Sequence, residues 1–163
     1  MRKIVFAIAI LCTTLAGAQA FIGNMDNKFQ VGANIQDGAT GIFVSYDYGL
    51  GENMSIGVVS GYALSVHDGI DANFGDRIDL KARFNAHLGN IINIDENFDI
   101  YPGLNLGLKN FGGHIGARYF FSQGFGIFTE AAFPIAKFNA NDLKPAEYIH
   151  NQFVFNIGAA FNL

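Results

Sequence analysis

The chain has 163 residues, with 10 Lys or Arg against 14 Asp or Glu, a formal charge of −4, and half of it is hydrophobic. That length fits one domain, and the acidic balance excludes the basic footprint of a nucleic-acid binder. Seventeen Phe, twenty Gly and no Trp describe a β-rich chain with tight turns, and beyond the N-terminus no apolar run approaches the roughly 20 residues of a membrane-spanning helix.

Arg2 and Lys3 open the chain, an apolar stretch follows from Ile4 to Leu15, and Ala18-Gln19-Ala20 supplies the small-x-small pattern of a cleavage site. Residues 1–20 therefore read as a secretory signal peptide cut after Ala20, with residues 21–163 as the mature domain. Cys12, the one cysteine, leaves with the signal, which excludes disulfides and thiolate metal sites from the mature chain. Eight basic residues (10 − 2) then face 14 acidic ones, a formal charge of −6.

Eight segments alternate with a period of two, so each predicts a strand with two unlike faces. Lys28 to Gln36 sets Phe29, Val31, Ala33 and Ile35 against Gln30, Gly32, Asn34 and Gln36, and Asp37-Gly38 makes a tight turn. Gly41 to Gly49 sets Ile42, Val44, Tyr46 and Tyr48 against Phe43, Ser45 and Asp47. Met54 to about His67 has Met54, Ile56, Val58, Tyr62, Leu64 and Val66 on one side and small residues on the other. The clearest segment, Arg77 to Leu88, alternates Ile78, Leu80, Ala82, Phe84, Ala86 and Leu88 with Arg77, Asp79, Lys81, Arg83, Asn85 and His87. Phe98 to Leu108 and His114 to Phe121 continue the pattern, and Gly126 to Phe138 holds it more weakly because Phe128 falls on the polar side. Gln152 to Leu163 closes the series with Phe153, Phe155, Ile157, Ala159, Phe161 and Leu163 on its apolar face.

Counted over all eight strands, the apolar face carries one charge, Lys137, and the other carries nine: Asp47, Arg77, Asp79, Lys81, Arg83, Asp99, Lys109, Arg118 and Glu130. A cation facing the bilayer midplane costs about 2–4 kcal/mol and much less near the interface. The apolar face is thus expected to meet lipid, and the fold expected is an all-β, eight-stranded, antiparallel up-and-down transmembrane barrel, since only helices or closed barrels satisfy every backbone group in hydrocarbon. An even strand count puts both termini on the periplasmic side. Gly51–Asn53, Asn90–Asn97 and Ser122–Gly124 become periplasmic turns, and Asp37–Thr40, His67–Gly75, Lys109–Gly113 and Asn139–Asn151 become external loops. Phe29, Tyr46, Tyr48, Phe98, Tyr119, Phe121 and Phe161 then fall near one interface, as an aromatic girdle.

The export signal, the eight alternating segments and the terminal run Phe153 to Leu163 resemble the small outer-membrane barrels of Gram-negative bacteria, of the OmpA/OmpX type. The terminal run is similar to the signal read by the barrel-assembly machinery, although here Leu163 comes last and Phe161 is two positions earlier. The run Tyr101 to Phe111 resembles barrel families of unknown function, from which no activity carries over. The resemblance implies an outer-membrane location, with outer-membrane lipid and lipopolysaccharide, and the assembly machinery during biogenesis, as partners.

An eight-stranded barrel has a lumen that side chains fill, and five basic against four acidic inward groups suit a paired polar plug. The function expected is non-enzymatic, structural or surface-interacting, with no cofactor and no metal. The rival reading is a narrow ion path around Lys81, Arg83, Arg118 and Glu130. Lipid A modification would need a nucleophile beside His67, His87, His114 or His150, and no sequence motif supplies one. His67, Asp68, Asp71 and Asp76 follow no calcium-loop spacing and read as solvated charge. Asp142, Lys144, Glu147, Tyr148 and His150, on the last external loop, are the candidates for contact with a surface partner, which the sequence does not name. A soluble lipocalin-like carrier would require the opposite arrangement, apolar face inward.

Overall fold

The structure, a computed structural model, describes residues 19–67, 70–138 and 144–163; the expected signal peptide through Ala18 lies outside these, as do Asp68 and Asp142. Eight strands, β1 (Asn27–Gln36), β2 (Ala39–Gly51), β3 (Met54–Val66), β4 (Ile78–Ala86), β5 (Phe98–Gly107), β6 (Asn110–Phe120), β7 (Phe125–Lys137) and β8 (Val154–Asn162), close into one antiparallel barrel. Each pairs with its sequence neighbours, and β1 pairs with β8, so the sheet has no free edge. Among the described residues three short helices sit in the connections: α1 (Phe74–Arg77), α2 (Gly89–Ile92) and α3 (Pro145–His150). The start of β1, the end of β8 and α2 mark one end of the barrel, called here the near end; α1 and α3 mark the far end.

Period-two alternation sorts the side chains as a pleated strand requires. Along β4, Leu80 is 60% and Phe84 40% exposed on the outside, whereas Arg83 is only 2% exposed within. Three shifts interrupt the register, one of them between Gly49 and Gly51 beside the β2–β3 turn. Opposite the shift between Thr40 and Gly41, β3 carries one extra residue, so Val66, expected on the outer face, turns inward and packs with Ala39, Ala63 and Ile149. Another shift, between Phe111 and Gly112, leaves Ile135 as an extra residue and bends β7 against β6.

Inward glycines sit where a large inward neighbour needs room. A methyl at Gly116 would overlap the Tyr101 ring, and one at Gly103 would overlap the His114 ring. The weakest seam is β4–β5, paired only over Lys81–Asn85 with Gly103–Gly107. At its near end Leu88 N–H donates to Ile100 O at 2.9 Å, and at its far end the Lys109 ammonium donates to Ile78 O at 2.7 Å.

The connections differ from expectation at the far end. The segment expected to begin as a strand at Arg77 starts instead at Ile78, because Phe74–Arg77 forms a helical turn capped by a reciprocal Asn73–Asp76 box. The loop expected over Lys109–Gly113 shrinks to Leu108-Lys109, since β6 begins at Asn110. In the loop expected over Asn139–Asn151, Pro145 starts α3 from the first-turn position that suits proline.

Candidate functional site: the charged lumen and its cap

Arg83, on β4, forms one centre of the lumen. Its Nη2 donates to Glu130 Oε2 at 2.9 Å and its Nε to Asn85 Oδ1 at 3.1 Å, with Asp47 Oδ1 in ion-pair contact at 3.2 Å from Nε. Arg118, on β6, forms the second: its Nη2 donates to Asp99 Oδ2 at 2.9 Å. Between them lies Tyr101, fully buried, its ring centroid 5.6 Å from the Arg83 and 4.9 Å from the Arg118 guanidinium carbon. Arg83 Nη1 and Arg118 Nε and Nη1 have no hydrogen-bond acceptor; the ring's π face offsets part of that cost. Gln30 Nε2 donates to Tyr101 Oη at 3.1 Å and Gln30 Oε1 accepts from Ser45 Oγ at 2.9 Å, which locks the ring in place.

His87 Nδ1 lies 2.7 Å from Asp99 Oδ2, and His87 Nε2 lies 2.8 Å from Ser55 Oγ. With the carboxylate as acceptor, Nδ1 carries the proton and Nε2 accepts from the serine hydroxyl. The fold thus brings together a Ser–His–Asp chain that no local motif announces, because the three residues come from β3, the end of β4 and β5. Geometry alone does not make this a nucleophilic site. Ser55 is fully buried and itself accepts from Asn85 Nδ2 at 2.9 Å, and the Phe21 ring stacks on the His87 ring with centroids 3.7 Å apart. Ser55 exposes no surface to a substrate.

An interior space of about 50 Å³ lies farther along the lumen and is lined by Asp79, Lys81, Arg83, Asn105, His114, Glu130 and His150 among others. It has room for a few water molecules. Below it an apolar cluster of Phe43, Phe120, Phe128 and Ala160 fills part of the lumen, with the Phe43 and Phe128 rings 5.3 Å apart. Phe43 and Phe128 sit at polar-side positions in the alternation, and that parity was the available signal for an apolar plug. Lys28 also faces inward, paired with Asp26 and set 5.4 Å above the Phe120 ring; it shares parity with Gln30 but lies at the start of its strand, where the face count missed it.

Of the nine expected inward charges, Asp47, Asp79, Lys81, Arg83, Asp99, Arg118 and Glu130 point into the lumen, with Lys81 and Asp79 paired at 3.0 Å beside the chamber. Arg77 and Lys109 do not belong to that network. Arg77 ends α1 at the far rim, where Nε donates to Ala72 O and Nη1 to Leu64 O, and Lys109 lies in the β5–β6 turn, latching the seam. Burial lowers the Lys109 pKa, with Asp79 and Glu147 opposing.

The cap also departs from expectation. His150, expected to be open to a partner, is 6% exposed; its Nε2 lies 2.8 Å from Asp76 O, and its backbone carbonyl accepts from Asn110 Nδ2 at 2.9 Å. Ile149 beside it is 1% exposed. Burial pushes the His150 pKa down, Asp79 pulling it up less and Lys109 adding to the fall. Glu147 accepts from Asn151 Nδ2 at 2.7 Å, Lys144 precedes the helix as its N-cap, and Tyr148 is 57% exposed. Phe29, Tyr46, Tyr48, Phe98, Tyr119, Phe121 and Phe161 all face outward at the near end, where the register pairs Phe29 with Tyr46 and Phe161, and Phe98 with Tyr119. Phe125, 5.7 Å from the Phe161 ring, completes that ring of aromatics.

Comparison with known proteins gives the class first. Two solved structures share the fold: a de novo designed transmembrane β-barrel, at 11% identity and TM-score 0.57 over 86% of this chain and 97% of that one, and the N-terminal β-barrel domain of Pseudomonas aeruginosa OprF, at 12% identity and TM-score 0.54 over 86% and 99%. The fold is therefore the eight-stranded barrel of transmembrane β-barrel proteins. Residues 11–163 match the family of unknown function DUF6646, and the chain belongs to that family. No curated protein matches it.

Proposed function

We propose that this chain is an integral outer-membrane barrel, spanning the bilayer with its strands, whose lumen is a charge-paired plug and whose role is structural or surface-interacting. One observation carries the reading: the outer belt is hydrocarbon and open, with Leu80 60%, Leu106 55%, Val58 53% and Ile157 48% exposed, while Arg118 is 1% and Glu130 4% exposed inside. A continuous apolar belt around a molecule far exceeds the few hundred Å² that a water-soluble monomer exposes. Aromatic and apolar rims support it at both ends, with Phe74, Leu108, Phe138 and Phe153 exposed at the far end. From Phe161 on β8 to Phe153, just before that strand, is eight steps (161 − 153). At roughly 3.3 Å per residue and a tilt near 40° this is about 20 Å, close to the apolar band of such barrels.

Three rival readings fare worse. A lipophilic carrier needs a roomy apolar interior cavity, whereas the interior space is about 50 Å³ and carries Asp79, Lys81, Arg83 and Glu130 in its lining. A conducting path must pass the Phe43–Phe120–Phe128 cluster and the Phe21–His87 stack. An enzymatic role would start at Ser55, whose hydroxyl is sealed; the folded protein is expected to leave a fluorophosphonate probe unreacted, and Ser55-dependent labelling would contradict a non-enzymatic role. The membrane reading is tested by envelope fractionation together with gel migration before and after boiling. Recovery in the outer membrane with heat-modifiable migration supports it, and recovery as free periplasmic protein overturns it.

A further inference from the structure

The three near-end turns are unlike one another. The β2–β3 turn is Glu52-Asn53 and the β6–β7 turn contains Ser122-Gln123-Gly124, both polar, but the β4–β5 connection reads Asn90-Ile91-Ile92-Asn93-Ile94-Asp95. Its isoleucines are 63%, 48% and 69% exposed in chain order. The segment is not loose. Gly89 N–H donates to Asp99 Oδ1 at 3.1 Å, Asn90 Nδ2 to Phe21 O at 3.2 Å, Ala20 N–H to Glu96 O at 2.7 Å and Asn97 N–H to Asp95 Oδ1 at 2.8 Å. Asn93, with φ of 50°, takes the left-handed turn that lets the chain reverse after α2.

Polar groups therefore tie this connection to the barrel while its apolar groups point away from it. Ile92 and Ile94 line a shallow groove with Phe98 and Ile100, which are outward positions of β5, and no polar side chain enters that lining. The isoleucines thus extend the outer apolar belt past the aromatic ring at the near end.

We propose that the β4–β5 connection is an interfacial anchor, its three isoleucines seated in the headgroup–acyl boundary of the phospholipid leaflet that meets the near end. The inference rests on the membrane reading above and deepens it. Continuity with the belt at Phe98 and Ile100 selects lipid over a protein partner as the occupant, and exposed Asp95 and Glu96 select a zwitterionic leaflet over an anionic one.

The chain contains no tryptophan, so one introduced indole reports one position. Three variants, Ile94→Trp, Glu52→Trp and Ile157→Trp, are folded into phosphatidylcholine vesicles with and without bromine near the top of the acyl chains, folding being checked by heat-modifiable migration; Ile91→Trp replaces Ile94→Trp if the latter fails to fold. The anchor is expected to give blue-shifted emission quenched at least twofold by bromine at position 94, strong quenching at 157 and almost none at 52. Quenching at 157 with a water-like, unquenched signal at 94 would overturn the anchor while leaving the membrane reading standing. No quenching at 157 in folded protein would overturn both.

Discussion

Replacing Asp99 with Asn tests how much the buried charge network contributes. The Asp99 carboxylate accepts from His87 Nδ1 at 2.7 Å, from Arg118 Nη2 at 2.9 Å and from Gly89 N–H at 3.1 Å, and it is fully buried. Among the described residues it is the one ion-pair partner of Arg118, so Asp99→Asn strands a guanidinium that is 1% exposed. Leaving a buried charge uncompensated costs about 3–5 kcal/mol. The amide also turns one acceptor into a donor facing existing donors, which places the expected loss toward the upper end. Removing both charges, Asp99→Asn with Arg118→Met, takes away the stranded ion, so the double variant is expected to recover to within about 2 kcal/mol of wild type. Lys81→Met is the internal control: Lys81 and its partner Asp79 border the interior chamber and are each 15% exposed, against 0% for the Arg118–Asp99 pair, so its loss is expected to be smaller than that of Asp99→Asn. Equilibrium urea unfolding in detergent micelles, followed by far-ultraviolet circular dichroism, reads all three. A loss under about 1 kcal/mol for Asp99→Asn, or a double variant less stable than the single, would refute the reasoning.

Other consequences follow from the same geometry. Ile157→Arg, midway along β8 on the outer face, is expected to cost about 2–4 kcal/mol in the same unfolding assay, whereas Lys137→Leu at the strand end stays within about 1 kcal/mol of wild type. Gly116→Val forces carbon into the Tyr101 ring, for an expected loss of about 1–3 kcal/mol, and the loss should largely vanish in a Tyr101→Ala background. The cap is expected to loosen in acid: the His150 pKa is lowered when docked, so below the ordinary value of about 6.5 only the undocked form takes up the proton, and docking weakens as pH falls. Hydrogen exchange across residues 144–151 at pH 7.5 and pH 5 measures this; equal protection at both, or the same acid response in His150→Gln, would contradict it.

Strand number, order and most inward positions were legible because lipid and lumen impose opposite demands on alternate residues, and β4 shows this without a break. Where the ladder is regular, parity alone places Arg83, Arg118 and Glu130. The exceptions have local physical causes. The extra residue in β3 reverses parity for Val66, a displacement that pattern counting does not register. Arg77 continues the alternation in sequence, yet the Asn73–Asp76 box closes a helical turn through it and sends its guanidinium to rim carbonyls. His150 looked like a loop residue because its burial depends on α3 folding back over Ala39 and Ala63, a contact between segments far apart in the chain. The Ser55–His87–Asp99 chain was hidden for the same reason: three strands must close before the residues meet. The apolar cluster was half legible, since Phe43 and Phe128 broke the polar face without revealing that their rings meet across the lumen.

The central claim is that the apolar face of the closed sheet meets hydrocarbon and the charged face is sealed within. Single spin labels placed in turn at residues 78 to 86, in mature protein reconstituted into vesicles, measure this by collision with dissolved oxygen, which concentrates in hydrocarbon. Collision rates are expected to alternate residue by residue, high at Ile78, Leu80, Ala82, Phe84 and Ala86 and low at Asp79, Lys81, Arg83 and Asn85. Rates with the opposite phase, or with no period of two, would contradict it.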